Sequence, residues 1–468
     1  MSAPTGGRGE LEAGALALPA VLAQSVSGMG LSGIVALLVP LVAVQAGAGG
    51  WLTWVICTLL ILGVAACLSA LTRRITTTGG LYGLAAASLG SFGAVMSVWT
   101  MLILVGVASL GSSVIGFGIY FAQFLDLFGL PDDRAVLAVC YVAALGAAWW
   151  AAYSGVRRSA WVMLSVEAAA TVAITVLMVA TLVAHDGSIV DTRQLRLEGT
   201  SAHDILHAAV LAVLAFGGFE SASVFGREAR NPRRAIPLAM IASVLFAGVL
   251  WIFSGYTLYL GFQGSGYDLA HSGQPLHDLA AIAGIPWFSY VVDLAISTTL
   301  LTSAIAIFNG VSRLMLTAAD EGLAPASWRR LHARYQTPAR ALNVLAACGA
   351  ALLAGVIISG IGAFDIFGDL GDLDGFAYLT LYALVCLGSI AFLRRRGALR
   401  AWRVGAALAA AGGLGYVFVS NVVPWPAWPE NLLVAIALGV IGFSLLGYVV
   451  LRAVRPAALS HAGSTVEG

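Results

Sequence analysis

An all-α membrane protein of twelve transmembrane helices is the fold class this sequence predicts, and three observations predict it. Of the 468 residues, 60% are hydrophobic and only 10% charged, whereas a soluble domain carries about 25% charged residues. So few charges cannot cover a chain of this size with polar surface in water. The charges also fall between apolar runs of about 20 residues, the length that crosses a hydrocarbon core about 30 Å thick. Finally, all 24 basic residues are arginine, and they are distributed unevenly: Arg134, Arg193 and Arg196 fall on one side of the alternating spans and the other 21 on the opposite side. Cytoplasmic loops carry the excess of basic residues, so both termini are expected in the cytoplasm and the number of crossings must be even.

The spans follow in order. The charge-free stretch between Glu12 and Arg73 holds spans one and two, divided by the glycines at 47–50. Spans three to seven are expected at 92–117, 135–153, 159–184, 205–225 and 237–260. Spans eight to twelve are expected at 287–318, 341–361, 376–393, 404–423 and 432–451. This gives a cytoplasmic tail over 1–14, one transmembrane domain over 15–455 and a second tail over 456–468. The first residues lack a basic start followed by a short apolar run and a cleavage site, so no removable signal peptide is expected. A net charge of +1 gives no case for nucleic acid as a partner. Cys57, Cys67, Cys140, Cys348 and Cys386 sit in apolar runs without a CxxC pair and read as small buried residues. No P-loop is present and no cofactor or metal is expected.

Two spans carry signs of interruption. Span one contains Ser25, Val26, Ser27, Gly28, Met29 and Gly30, followed by Ser32 and Gly33; span six contains Phe216, Gly217, Gly218, Phe219 and Glu220. Glycine weakens a helix, although small residues also allow close helix packing. Irregular backbone at membrane depth must line a protein-enclosed cavity. Breaks in the first and sixth spans have the offset of two five-span repeats, about 15–185 and 203–395, with two added helices at about 402–452. Inverted repeats of this kind place a substrate at the breaks. Exposed amides there favour an anionic group and freed carbonyls a cationic one, a combination suited to a zwitterion.

Several motifs then resemble one family. Phe216-Gly217-Gly218-Phe219-Glu220 followed by Glu228-Ala229-Arg230-Asn231-Pro232-Arg233-Arg234 is similar to the span six to seven signature of amino acid–polyamine–organocation permeases. Thr78-Gly79-Gly80-Leu81-Tyr82 resembles their loop after span two, and Asn309 to Arg313 with Asp320 to Pro325 resembles the end of span eight and its loop. The resemblance implies a leucine-transporter-type fold with helices 1 and 6 discontinuous, working by alternating access. It also implies a secondary transporter for an amino acid or related amine, in the plasma membrane bilayer, as a monomer or homodimer. The chain departs from some members: Leu214 stands where they have an aromatic gate, and Ala170 falls near a lysine of sodium-independent members. Proton coupling is expected, with exchange and sodium coupling left open.

Ionisable residues at membrane depth are costly and mostly functional. Glu220 and Glu167 are therefore the expected coupling or gating groups. Phe216 and Phe219 are expected at the substrate, with Gly106 and Ser109 of span three and Ile305 and Asn309 of span eight facing them. Asp293 reads as an outer vestibule residue and His207 as an interface residue. Arg313 is expected to snorkel to the cytoplasm, the 228–234 loop to be a solvated hinge, and Asp369, Asp372 and Asp374 to lie in an outer loop. Without a committed pocket charge, a neutral or bulky amino acid is the expected cargo. A membrane enzyme would need a catalytic set in the bilayer, but the histidines lie at ends and loops. A nutrient sensor would need a signalling domain, which the short tails do not offer.

Overall fold

Glycines and prolines decide where these helices stop. The computed structural model describes residues 14, 16–130, 133–185, 190–272, 274–428, 430–454 and 456–464; Arg8, Arg455 and the tail residues 1–13 and 465–468 lie outside them. Helix α1 (Leu18–Met29) starts with proline in its first turn, where no amide is needed. It ends at Gly30, whose φ of +63° is left-handed, and α2 (Leu31–Ala46) starts directly after. A three-residue 3-10 turn at Gly47–Gly49 leads into α3 (Gly50–Thr72). Then come α4 (Leu81–Leu89) and α5 (Ser91–Thr100), which runs through a π-helical segment, Met101–Ser109, into α6 (Leu110–Asp126). The remainder of the first half is α7 (Arg134–Tyr153) and α8 (Val156–Ala184).

After the short α9 (Thr192–Leu195), α10 (Ala202–Leu214) opens with a capping box between Ser201 and Asp204. It gives way to a turn and a 3-10 segment, Phe219–Phe225, before α11 (Pro232–Phe262). A short helix α12 (Pro275–Ile282) precedes α13 (Ser289–Asp320), α14 (Ala339–Ser359) and α15 (Ala363–Arg395). The chain finishes with α16 (Ala401–Val422), α17 (Glu430–Val454) and α18 (Pro456–Ser460). Among the described residues, eleven helical segments are long and apolar enough to cross a membrane; the first, Leu18–Thr72, is 55 residues long and contains the Gly47–Gly49 turn. This is a multi-pass membrane protein.

Three expectations need correction. Asp369, Asp372 and Asp374 do not form an outer loop: α15 begins at Ala363 and carries all three within the helix. The intervening glycines lower local helix propensity, but packing of α15 against α6, α16 and the π-helical segment overrides it. Span seven begins at Pro232, so Pro237 stands inside the first turns of α11. Arg313 does not snorkel, and Glu228 is not solvated. Their guanidinium and carboxylate meet in a buried two-pronged pair at 2.7 and 3.0 Å. Arg313 also donates to the Asn309 carbonyl and lies over the Phe225 ring.

The core is apolar and aromatic. Trp54 of α3 packs on Trp251 of α11, with ring centroids 5.2 Å apart. Helices α16 and α17 turn Leu408, Tyr416, Phe443 and Leu446 outward, as a lipid-facing rim does. Of the cysteines, Cys348 faces outward from α14 and the other four are buried.

The Glu228–Arg313 pair joins three parts of the chain, because the Glu228 carbonyl and the Arg230 amide also bond Leu16, just ahead of α1. Removing one partner of a buried pair leaves an unpaired charge and costs about 3–5 kcal/mol. Glu228→Ala is therefore expected to lower the thermal unfolding midpoint in detergent by several degrees, while Arg230→Ala on the exposed side of the same loop leaves it unchanged.

Candidate functional site

The two interruptions meet backbone to backbone. A Cβ on Gly28 would lie 2.7 Å from the Gly218 carbonyl oxygen and 2.6 Å from Ser221 Oγ, and one on Gly218 would run into the Gly28 carbonyl. Gly218 has a φ of +94°, which disfavours any side chain. Side-chain donors tie the two segments to each other and to α13, one of them on the Phe219 carbonyl of the irregular backbone. Ser25 Oγ donates to the Phe219 carbonyl at 2.6 Å, and Ser221 Oγ to the Gln24 carbonyl at 2.8 Å. Gln24 Nε2 donates to the Ala306 carbonyl of α13 at 2.9 Å. Each bond reduces the cost of unpaired backbone in an apolar surrounding.

A cavity opens beside this crossing, with about 450 Å³ of space that includes its open mouth. Gly28, Gly218, Glu220 and Ser221 border it on one side, and Tyr378 and Val311 on others. It extends to the loop at Gly79 and Gly80, on the arginine-rich side of the protein. Glu220 is only 2% exposed. Tyr382 donates its hydroxyl to the Glu220 carboxylate, and the Gly218 amide donates to the same hydroxyl at 3.2 Å. Asp374, Tyr378 and Tyr382 are spaced four residues apart on α15, so they share one face of that helix. Asp374 stands beside Ser109 at the end of the π-helical segment, and its Oδ1 is enclosed without a partner.

The expected residues divide into two groups. Gly28, Gly218 and Glu220 border the cavity; Ser25 ties one interruption to the other; Gly30 supplies the left-handed turn. Gly217 lies close against Tyr378, and Ser109 against Asp374. Val26, Ser27, Met29, Phe216, Phe219 and Ile305 are buried outside the cavity lining. Phe216 packs edge-on against Trp251 at 4.6 Å, and Phe219 against Tyr382 at 5.3 Å. Glu167 is 2% exposed and lies away from the cavity, with Ser32 Oγ 3.3 Å from its Oε1. Asn309 is buried on α13, while its neighbours Ala306, Ile307 and Gly310 line the cavity. The sequence reading missed Asp374, Tyr378 and Tyr382 as a set. Their four-residue spacing was the available signal.

Two interrupted segments crossing beside a cavity, in a chain of long apolar helices, define a membrane transporter. The comparisons with known proteins agree. The family model described as amino acid permease matches residues 16–446, and the chain belongs to that family, within the amino acid–polyamine–organocation superfamily. The uncharacterized transporter Rv1999c of Mycobacterium tuberculosis is 30% identical over 342 residues, 72% of this chain and 73% of the relative. The branched-chain amino acid permease BcaP of Bacillus subtilis is 24% identical over 324 residues, covering 63% and 65% of the two chains. The low-affinity putrescine importer PlaP of Escherichia coli is 30% identical over 171 residues, 36% of this chain and 37% of the importer. Among solved structures, MhsT in complex with L-phenylalanine aligns with a TM-score of 0.60 at 15% identity, covering 88% of this chain and all of that one. The protein shares that fold.

The Gly28–Gly218 contact leaves no room for a methyl group. Gly218→Ala is expected to abolish transport, measured as uptake into proteoliposomes, because it combines a backbone clash with a disfavoured φ. Gly412→Ala, where nothing stands within 4 Å of the added Cβ, is expected to keep the parent's rate.

Proposed function

We propose that this permease is a secondary transporter for an amino acid or related amine, working by alternating access in the plasma membrane. The first 55-residue segment crosses twice in this reading, which gives twelve spans with both termini in the cytoplasm. The substrate sits in the cavity beside the crossing of the two interruptions, which Gly28, Gly218 and Glu220 border. One observation supports this reading above the rest: the cavity reaches the crossing and its only bordering ionisable carboxyl, among the described residues, is Glu220.

The charge of the site points to the amine end of the substrate. Glu220 and Asp374 are close enough to act on one another, and among the described residues no arginine or histidine is paired with either. The chain contains no lysine at all. Two carboxyls without a cation in a poorly hydrated site favour a positively charged guest. The anionic end of a zwitterion would meet backbone amides at the crossing, as at other helix starts. Asp374 therefore shifts the cargo away from a purely neutral, bulky amino acid and toward one with an exposed ammonium group. Glu220, held by Tyr382, acts as the gate. Protons drive the cycle, with exchange of substrates as the gradient-free mode.

Uptake of labelled amino acids and amines by proteoliposomes, with and without an imposed proton gradient, tests the proposal. Saturable uptake is expected for at least one amine-bearing compound. A hydrogen bond to a charged group contributes about 1.5–3 kcal/mol, so Asp374→Asn is expected to raise KM for that compound by about 10- to 100-fold. No saturable uptake or exchange of any candidate would contradict the transporter reading.

A further inference from the structure

Several arginines of this protein are spent on acids or carbonyls. Arg313 is held by Glu228, Arg329 lies beside Asp320 and donates to the Ala319 carbonyl, and Arg395 donates to the Ser88 carbonyl. Four others gather where α3 ends and α16 begins. Arg73 follows α3 directly and Arg74 comes next, while Arg400 precedes α16 and Arg403 stands in its first turn. The charges of Arg73, Arg74 and Arg400 all act on Arg403. Arg74 donates to the Ala70 carbonyl and Arg403 to the Ala398 carbonyl, each at 2.9 Å. These bonds hold two of the guanidinium groups in place but neutralise neither.

No acid balances them. Residues 50–90 and 375–423, which hold α3, α4, α16 and the C-terminal part of α15, include neither aspartate nor glutamate. Helix α11 also packs on α3 and brings only Arg233 and Arg234. Helix α10 packs there too, but its Asp204 lies by the start of α3, where Ile205 meets Gly49, and not by the end that leads to Arg73. Like charges gathered this closely repel one another. The start of α16 has no side-chain cap and adds the partial positive charge of a helix N-terminus. A general excess of basic residues on one side of a membrane does not require them to converge on a single junction.

A recess adjoins the cluster. Ala66 and Ala70 of α3, Leu393 of α15 and Ala406 of α16 line it, and Arg403 borders it. Trp402 stands at its edge, 59% exposed, with the Arg403 guanidinium 5.3 Å from its ring centre. An exposed tryptophan beside basic residues at a helix end is suited to the membrane–water boundary. We propose that Arg73, Arg74, Arg400 and Arg403 bind the phosphate of an anionic phospholipid, with the start of one acyl chain in the recess between α3, α15 and α16.

The chemistry of the site selects this occupant. Guanidinium forks match phosphate oxygens in geometry and charge, and basic pockets between membrane helices hold lipid headgroups. A free phosphate ion would satisfy the arginines but leave the apolar recess and Trp402 without a partner. The lipid answers both halves of the site. It also acts on the fold. Helices α3 and α16 approach through small residues, an added Cβ on Gly63 standing 3.7 Å from Ala410. A bound phosphate removes the repulsion at the end of that contact and clamps α16 to α3.

The test uses the full-length protein in detergent micelles and reads the thermal unfolding midpoint as dioleoyl phosphatidylglycerol or dioleoyl phosphatidylcholine is added. Phosphatidylglycerol is expected to raise the midpoint saturably, and phosphatidylcholine to leave it in place. Each arginine near an anionic headgroup contributes about fivefold in affinity. Changing the exposed Arg73→Gln and Arg400→Gln together is therefore expected to raise the half-saturating phosphatidylglycerol concentration about 25-fold, while Arg330→Gln, exposed in a different loop, keeps the parent's value. Equal effects of the two lipids, or an equal loss in Arg330→Gln, overturn the site. The same rise with inorganic phosphate at matched concentration overturns the lipid in favour of a free anion. If the paired variant does not fold, fluorescence decides: the quenching that disappears in Trp402→Phe is expected to be stronger with brominated phosphatidylglycerol than with brominated phosphatidylcholine, and equal quenching by both overturns the proposal.

Discussion

The contact of Gly28 with Gly218 is the constraint on which the rest of this structure depends. Two chain segments interrupted at membrane depth expose polar backbone, and an apolar interior does not tolerate that without partners. Here each interruption supplies partners for the other. Ser25 bonds the Phe219 carbonyl, and Ser221 bonds the Gln24 carbonyl, across a crossing that only glycine allows. The same lack of side chains leaves open space next to the crossing, which is the cavity. Irregular backbone, close approach and pocket therefore have one cause.

The second organising rule is electrostatic. Charges are few, and most of the buried ones are matched by a specific partner. Arg313 and Glu228 close a pair that also holds Leu16, so the entry to α1, the loop before α11 and the C-terminal part of α13 are fastened together. Thr78 bonds Thr317 at 2.9 Å, and Tyr82 bonds Glu321, fastening the loop ahead of α4 to the same end of α13. Carboxyls outside this scheme then stand out. Asp374 stands beside Ser109 and near Glu220, outside the cavity lining, and Glu167 stands beside two hydroxyls.

Much of this was legible in the sequence, for physical reasons. Apolar runs and arginine asymmetry report the membrane directly, so the long helices and their order could be read. The glycine clusters at 28–30 and 217–218 were legible because nothing else explains them in the middle of apolar segments. What escaped is non-local. Arg313 resembles a snorkelling end residue until Glu228, 85 positions away, is seen to meet it. The aspartates of α15 lie among Gly368, Gly371 and Gly375, a local pattern that reads as loop, and only packing against α6 and the π-helical segment makes it helix. Once that helix is extended, Asp374 falls in register with Tyr378 and Tyr382, and the site gains its second carboxyl. Phe216 and Phe219, legible as aromatics beside the glycines, were expected in the pocket; the structure seats them against Trp251 and Tyr382.

The central claim is that the crossing of the two interruptions is where cargo binds. A substrate-bound structure determined by cryo-electron microscopy, with an amine-bearing compound that the protein is shown to transport, tests this most directly. The account predicts ligand density in the cavity beside Gly28, Gly218 and Glu220, with the ammonium group directed toward the Glu220 and Asp374 carboxyls. Density for the ligand elsewhere in the bundle, with the Gly28–Gly218 crossing unchanged and empty, would contradict it.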